Sequence, residues 1–134
     1  MRRYESGMRW CVWRWTDVDW RGETYLLRLH LLKTPWGAIM LHWINGPDPH
    51  PDPHDHPVDF ASLTVRGGYT ELTPKGRNRR RFRLRRAIDI HRIVEADPRT
   101  LTLVVCGPVK NEWGYFTRSG WKMDWKMYRD MLAR

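Results

Sequence analysis

Short apolar runs that end at glycine or proline recur along most of this chain, and they limit it to a fold built of β-strands. Residues 58–66 are rich in β-branched and aromatic side chains and end at Gly67-Gly68. Residues 101–106 are almost wholly apolar, which predicts a strand buried on both faces. Other strands are predicted over residues 8–15, 25–33, 38–44, 69–73 and 112–117, with one or two more within 79–94 and a polar turn over residues 16–22. The high leucine content of residues 25–33 leaves a helix as an alternative there. Many short strands with Gly/Pro turns predict an all-β sandwich or barrel.

Two segments depart from this strand pattern. Residues 45–57 contain five prolines, and because proline cannot donate to a β-ladder we expect an ordered loop there and not a central strand. The C-terminus, residues 118–134, is predicted to be helical, because its aromatic and leucine side chains recur at spacings of four, three and four. The side chains on this face are Trp121, Trp125, Tyr128 and Leu132, and we expect them to pack on the sandwich. Asp124 could cap the helix, or Ser119 if it starts earlier.

Length and composition predict one folded domain in the cytoplasm. The 134 residues can bury one hydrophobic core but not two. No apolar run approaches the roughly 20 residues needed to cross a bilayer. The first residues are not followed by the apolar stretch of a signal peptide. Two cysteines, Cys11 and Cys106, do not form a disulfide framework and are expected to be buried thiols. A membrane partner is therefore not expected.

The formal net charge of +9 is concentrated in residues 77–86, which include seven arginines. Phe82 and Leu84 interrupt this run at alternate positions, which predicts a strand that buries these two side chains. Four arginines would then face outward, at positions 79, 81, 83 and 85. Such a face could bind phosphate or nucleic acid weakly through residues 77–86. It could equally be a solvated strand face.

The chemical signal is a set of histidines. His54 and His56 are one residue apart beside a strand, so a period of two sends both side chains to the same face. His91, from a distant strand, could complete three nitrogen ligands for one divalent metal ion. Imidazole ligands suit Fe(II), Zn, Ni, Cu and Mn. The second ring nitrogens of the ligands need acceptors, for which the nearby carboxylates are Asp52, Asp55, Asp59 and Asp89.

The remaining histidines are weaker candidates. His50 lies in the same loop and is an alternative ligand. His30 and His42 belong to the opening hairpin, where we expect core or pocket positions.

These residues resemble the cupin superfamily. Its first motif runs from a glycine through His-x-His and a glutamate to a second glycine, and here Gly46, His54-Asp55-His56 and Gly67 fit that spacing. His91 is similar to the histidine of the second motif. The resemblance extends over residues 25–117, through Gly107-Pro108 and the Trp-Gly-Tyr-Phe run at 113–116. It implies a cupin jelly roll, that is a double-stranded β-helix, with one metal ion in its mouth.

The resemblance also implies a division of the chain and a set of site residues. Residues 1–24 would form an N-terminal strand extension, residues 25–117 the jelly-roll core and residues 118–134 the helix. The family glutamate falls at Phe60 or Ala61, which are not ligands. Asp59 is then either a fourth metal ligand or the partner of a ligating histidine. Pocket candidates are Tyr69, Glu71, Trp113 and Tyr115.

Three functions fit these residues. The first, which we favour, is a small-molecule oxygenase, an Fe(II)-dependent cupin dioxygenase whose three-histidine centre binds substrate and O₂ together. The second is a metal-dependent isomerase, lyase or hydrolase, with Zn, Ni or Mn as other metals and with Glu71 or Tyr69 as the proton carrier. The third is a non-enzymatic module that binds a ligand or nucleic acid. A homodimer is left open.

Overall fold

A computed structural model describes residues 11–20, 23–117 and 122–132 of the chain, with side chains from Leu26 onward. These residues form strands joined by short turns, followed by one short helix at the C-terminal end. The elements are β1 (Cys11–Trp20), β2 (Glu23–Thr34), β3 (Gly37–Ile44), β4 (Phe60–Arg66), β5 (Tyr69–Thr73), β6 (Gly76–Asn78), β7 (Phe82–Arg85), β8 (Arg92–Ala96), β9 (Thr100–Cys106), β10 (Gly114–Phe116), β11 (Lys122–Asp124) and α1 (Trp125–Leu132). The all-β prediction is confirmed.

The larger layer is a six-stranded sheet in the order β1-β2-β3-β9-β4-β7. All of its neighbouring strands are antiparallel, and β3 pairs with β9 in continuous register from Ala38↔Cys106 to Ile44↔Thr100. Its inward face carries a small apolar cluster, which consists of Ala38, Met40, Val58, Val104 and Cys106, with Phe60 packed against it.

The second layer is assembled around His54. Strands β6-β5-β8 form one small sheet, and β10-β11 form another. The backbone at His54 makes a β-bridge to His91 on one side and to Tyr115 on the other. The sequence predicted only an ordered loop here. Residues 54–56 are not prolines, so their backbone N–H groups can donate hydrogen bonds, and these bonds join the two small sheets into one layer.

Gly67 is the point where the chain leaves the larger sheet for the smaller one. Its φ of 69° lies in the left-handed region, and a Cβ built there would meet the Thr100 Oγ1 at 2.6 Å. Thr100 Oγ1 also accepts a hydrogen bond from the Gly68 N–H at 3.2 Å. Only glycine fits this position, since it tolerates both the positive φ and the close approach.

Several strand predictions need correction. Residues 16–20 continue β1 and are not a turn. Strand β9 alternates between buried and exposed side chains, with Val105 49% exposed, and is not buried on both faces. Strand β2 is a strand throughout, which removes the helical alternative for residues 25–33.

The C-terminal helix starts later than predicted, because residues 122–124 form β11. It begins at Trp125, and Asp124 caps it by accepting a hydrogen bond from the Lys126 N–H at 2.9 Å. Tyr128 is buried as expected, whereas Trp125 and Leu132 are half-buried, and Trp121 lies outside the described residues. Among the described residues, no helix has the length and apolarity needed to cross a membrane.

The face prediction for the arginine-rich strand is wrong. Phe82 and Leu84 in β7 are 56% and 66% exposed, whereas Arg83 is buried at 2% and Arg85 is half-buried. A period of two fixes which side chains share a face but not which face turns inward. In this fold Arg83 and Arg85 point inward and pair with the carboxylate of Glu71.

Candidate metal centre

The structure brings the three predicted histidines together. His54, His56 and His91 each offer a ring nitrogen, and these atoms all lie within 4.8 Å of one another. The ring centroids are 5.2 Å apart for His54 and His56, and 4.6 Å apart for His56 and His91. Three imidazole nitrogens at this spacing could hold one divalent ion and leave coordination positions open.

Backbone pairing sets the positions of these side chains. The His54 N–H donates to the His91 carbonyl at 2.9 Å, and the His91 N–H donates to the His54 carbonyl at 3.0 Å. The two residues are therefore directly opposite each other in an antiparallel pair, which brings their side chains to one face of the layer. The His56 N–H donates to the Ala87 carbonyl at 2.9 Å and fixes the other end of the segment.

Asp55, between the two histidines, points the other way and anchors the segment. It is 2% exposed, and its carboxylate accepts hydrogen bonds from the Gly114 N–H at 2.8 Å and the Asn111 side chain at 3.0 Å. Lys122 Nζ lies 2.7 Å from the same carboxylate. The period of two predicted for His54 and His56 is therefore observed, with the anchor on one face and the histidines on the other.

Burial keeps the three histidines neutral. Desolvation lowers the pKa of His54 to about 4, and the neighbouring carboxylate of Asp55 only partly offsets this effect. Desolvation, reinforced by nearby positive charge, also lowers the pKa of His56 and His91 well below the usual value. The Nδ1 atoms of His54 and His56 are buried and have no hydrogen-bond partner in the part of the chain that the structure describes. Neutral imidazoles with free nitrogens fit a metal ion.

His91 is oriented by Glu71, which is fully buried in β5. The Glu71 Oε2 lies 2.8 Å from the His91 Nδ1, so the Nε2 is the nitrogen left to bind a metal ion. The other carboxylate oxygen accepts a hydrogen bond from the Asn78 side chain at 3.2 Å and contacts the guanidinium groups of Arg83 and Arg85. These contacts favour a positioning role for Glu71, and a proton-carrier role stays a prediction.

The structure leaves Asp59 outside this cluster. Its Oδ1 accepts a hydrogen bond from the Ala87 N–H at 2.7 Å, and its Oδ2 pairs with Lys110. These contacts lower the pKa of Asp59 and tie the start of β4 to the chain that precedes β8. Among the described residues, Asp59 is therefore not one of the three grouped candidate ligands.

The other predicted acceptors also bind elsewhere. Asp52 accepts a hydrogen bond from the Tyr128 hydroxyl at 2.7 Å, and Asp89 accepts one from the Arg86 N–H at 2.8 Å. The residue missed by the sequence reading is Asp48, whose Oδ2 lies 4.0 Å from the His54 Nδ1. The same oxygen accepts a hydrogen bond from the Ile93 N–H at 2.8 Å. Asp48 precedes His54 by only six residues in the same proline-rich loop, and this proximity was the one sequence feature that could have indicated it.

Aromatic side chains surround His54. Its ring is 5.7 Å from that of Tyr115 and 6.1 Å from that of Trp113. Tyr115 stacks on Tyr128 of α1 at 3.9 Å, and Trp113 stacks on Trp125 at 5.7 Å. The helix therefore supports the group of three histidines through one layer of aromatic rings.

Other pocket candidates lie nearby without joining the cluster. His50 is buried against Tyr115 with ring centroids 4.7 Å apart, and it is not one of the three grouped ligands. His30 is buried, and the His42 Nε2 accepts a hydrogen bond from the Arg28 Nε at 3.1 Å, so both occupy interior positions as expected. Tyr69 is buried, and its ring lies 4.0 Å from the Arg83 guanidinium.

Comparison with known proteins identifies the fold. No protein-family model and no curated protein sequence matches the chain. Among solved structures, KdgF from Halomonas sp. is similar with a TM-score of 0.58 and 18% identity, over 72% of this chain and 89% of that chain. A Pac13 variant from Streptomyces with uridine is similar with a TM-score of 0.57 and 9% identity, over 86% of this chain and 91% of that chain. Pac13, described as a nucleoside dehydratase, gives a TM-score of 0.51 and 12% identity, over 80% of this chain and 88% of that chain.

These similarities confirm the cupin-like fold that the histidine spacing suggested. At such low identities the comparison shows the fold alone. In this fold the chain presents a group of three histidines that could hold a metal ion.

Proposed function

We propose that this chain is a metal-dependent cupin enzyme that binds one divalent ion through His54, His56 and His91 and acts on a small molecule. The observation that carries the proposal is the convergence of three neutral imidazoles, from two distant segments, within 4.8 Å. A structural role for these side chains would not require their Nδ1 atoms to be buried without partners, as they are in His54 and His56.

The favoured reaction is oxygenation of a small substrate with Fe(II). The ion would supply a place for substrate and O₂ to bind side by side, because three protein ligands leave positions open. Around it, the chain's own residues hold the histidines in place: Glu71 fixes the His91 ring, and Asp55 fixes the backbone between the two loop histidines. Three neutral ligands leave the full double charge of the ion uncompensated, which favours an anionic chelating substrate.

A second reaction class is supported by a specific observation. Pac13, which has a similar fold, is a nucleoside dehydratase, and a variant of it is known with uridine. By analogy, this chain could eliminate water from a small hydroxylated substrate, with Zn, Ni or Mn as a Lewis acid. Glu71 and Tyr69 were the predicted proton carriers. Both are buried beside Arg83, and Tyr69 is the less constrained of the two, since Glu71 already contacts His91.

The nucleic-acid alternative is weaker, because the arginines of β7 point inward. Arg83 and Arg85 pair with the buried Glu71, and Arg79 pairs with Asp97. Exposed arginines remain at positions 77, 79, 80, 81 and 86. Weak phosphate binding through residues 77–86 therefore stays part of the proposal only as a secondary property.

The test starts from untagged protein, whose metal content is measured by elemental analysis. Wild type should hold close to one divalent ion per chain, whereas His54→Ala and His56→Ala should hold little. His30→Ala is a control that removes a buried histidine outside the group. Fe(II)-loaded protein is then mixed with a panel of small acids, sugars and nucleosides, and O₂ uptake is recorded. Substrate-dependent uptake supports the oxygenase, and turnover without O₂ supports the lyase. Full metal content in both histidine variants would show that the site lies elsewhere.

A further inference from the structure

The outward face of the six-stranded sheet is apolar across four neighbouring strands. Directly opposed residues on antiparallel strands point to the same side, so the register defines two rows of side chains that cross β3, β9, β4 and β7. One row is Ile39, Val105, Ala61 and Leu84, and the other is Leu41, Leu103, Leu63 and Phe82. Trp43 and Leu101 continue the surface at one end, where the register of β4 shifts so that the exposed Arg66 is paired with Leu101 and Val65 lies beside it. We call the eleven apolar residues the outer apolar face, and none of them is charged.

This face departs from the usual arrangement of a sheet with one solvated side, although the inward face also carries the apolar cluster around Met40 and Val104. Such a sheet normally turns apolar side chains inward and polar ones outward. Here the inward positions beside the outer apolar face include Ser62, Thr64, Thr102 and Arg83, all of them buried. Several outward positions are exposed to solvent, among them Ile39 at 36%, Val105 at 49% and Leu84 at 66%, whereas Ala61, between Val105 and Leu84 in the same row, is half-buried.

The exposed area is large for a small protein. Six side chains of the face are at least 36% exposed, namely Ile39, Leu63, Val65, Phe82, Leu84 and Val105. With roughly 200 Å² for a large apolar residue, they leave about 600 Å² open to solvent. This value is at the upper end of about 300–600 Å² for the largest apolar patch of a typical monomer.

We propose that a second copy of this chain covers the outer apolar face, so that two larger sheets pack face to face about a two-fold axis. A stable interface buries about 800 Å² on each partner, and the six exposed side chains with the half-buried Leu41, Trp43, Leu101 and Leu103 reach that range. A two-fold contact needs a self-complementary patch, which a continuous apolar sheet face provides.

Charge also selects a second copy as the occupant. Each chain carries a net charge of +9, so two copies repel each other wherever their cationic surfaces meet. The outer apolar face carries no charge and avoids this repulsion. For the same reason it offers nothing to nucleic acid or to an acidic protein, both of which would be attracted to the arginines outside it.

The test measures the mass of the full-length, metal-loaded protein by sedimentation velocity over a range of concentrations. Wild type should be a dimer that dissociates on dilution. Leu84→Arg and Phe82→Arg should weaken self-association by more than about 100-fold, because like charges would meet across the axis. The control is Ile88→Arg, which changes a residue that is 59% exposed but lies outside the face. It should leave the dimer intact.

Metal content and thermal unfolding of each variant show whether it is folded. If one variant unfolds, the other provides the comparison, since both lie on the same strand. A wild type that is monomeric at every concentration overturns the proposal, whether the face is then covered by residues 1–10 of the same chain or by a different protein. A dimer that survives in both folded variants overturns it as well.

Discussion

Replacing Glu71 by glutamine tests whether a buried carboxylate sets the metal affinity through His91. The change keeps the size of the side chain and removes its charge. Glu71 is fully buried and contacts His91 Nδ1 at 2.8 Å, Asn78 Nδ2 at 3.2 Å and two guanidinium groups. Losing such a partner of a metal-ligating histidine typically weakens metal binding by about 10- to 100-fold. That loss corresponds to about 1–3 kcal/mol of binding free energy.

The same substitution also affects folding, and the two effects must be separated. Arg83 would remain buried without its counter-charge, and breaking a buried ion pair costs about 3–5 kcal/mol of unfolding free energy. A second substitution, Arg85→Gln, removes the less buried of the two arginines, so the double variant should recover part of the stability. It should not recover the metal affinity, because His91 still lacks its carboxylate.

The assay is a competition titration against a chelating dye, at a temperature where each variant is folded by circular dichroism. Glu95→Gln is the matched control, since Glu95 is an exposed carboxylate on the adjacent strand β8. Its metal affinity should equal that of wild type. A folded Glu71→Gln protein with wild-type metal affinity would refute the positioning role of Glu71.

Three other changes have defined outcomes. Tyr128→Phe removes the hydrogen bond to Asp52 and should lower the free energy of unfolding by about 1.5–3 kcal/mol, whereas Tyr128→Ala should lower it by about 3–5 kcal/mol. Urea unfolding measures both values, and equal stability of the two variants would contradict this expectation. Asp59→Asn should leave metal affinity unchanged in the dye titration, and a 10-fold loss would return Asp59 to the site. Burial lowers the pKa of His50 to about 4 in the folded protein. Between pH 6.5 and 4 the unfolded state therefore binds more protons than the folded state, and the metal-free protein should lose stability as the pH falls through this range. His50→Gln should make that pH dependence less steep without abolishing it, because the pKa values of His54, His56 and His91 are lowered as well, and urea unfolding at each pH would measure the difference.

The sequence predicted that His54 and His56 share a face, because the signal for such a pair is local. Two residues separated by one share a face in any extended segment, whatever the tertiary fold. The family resemblance then singled out His91 among the remaining histidines, and the structure places its ring 5.0 Å from that of His54. The fold class was equally accessible, since turns at Gly67-Gly68 and Pro35-Trp36-Gly37 are set by residues within each turn.

The supporting carboxylates could not be predicted in the same way. Sequence proximity suggested Asp55 and Asp59, but in an extended segment a neighbour one residue away points to the opposite face. The acceptor for His91 is Glu71, which is 20 residues away and reaches it because β5 lies beside β8. Such a partner depends on strand pairing across the sheet, and a single sequence does not contain that information.

The inverted orientation of β7 has a physical cause that links the three-histidine group to the outer apolar face. Either face of the strand could have been buried, since Phe82 and Leu84 alternate with Arg83 and Arg85. Glu71 decides between them, because a fully buried carboxylate without cations would be far more costly than two exposed apolar side chains. The arginines therefore turn toward Glu71, and Phe82 and Leu84 are forced outward onto β4's exposed side. A second copy that covers these side chains would then hold β7, an edge strand, against the sheet and keep its arginines on the carboxylate that orients His91.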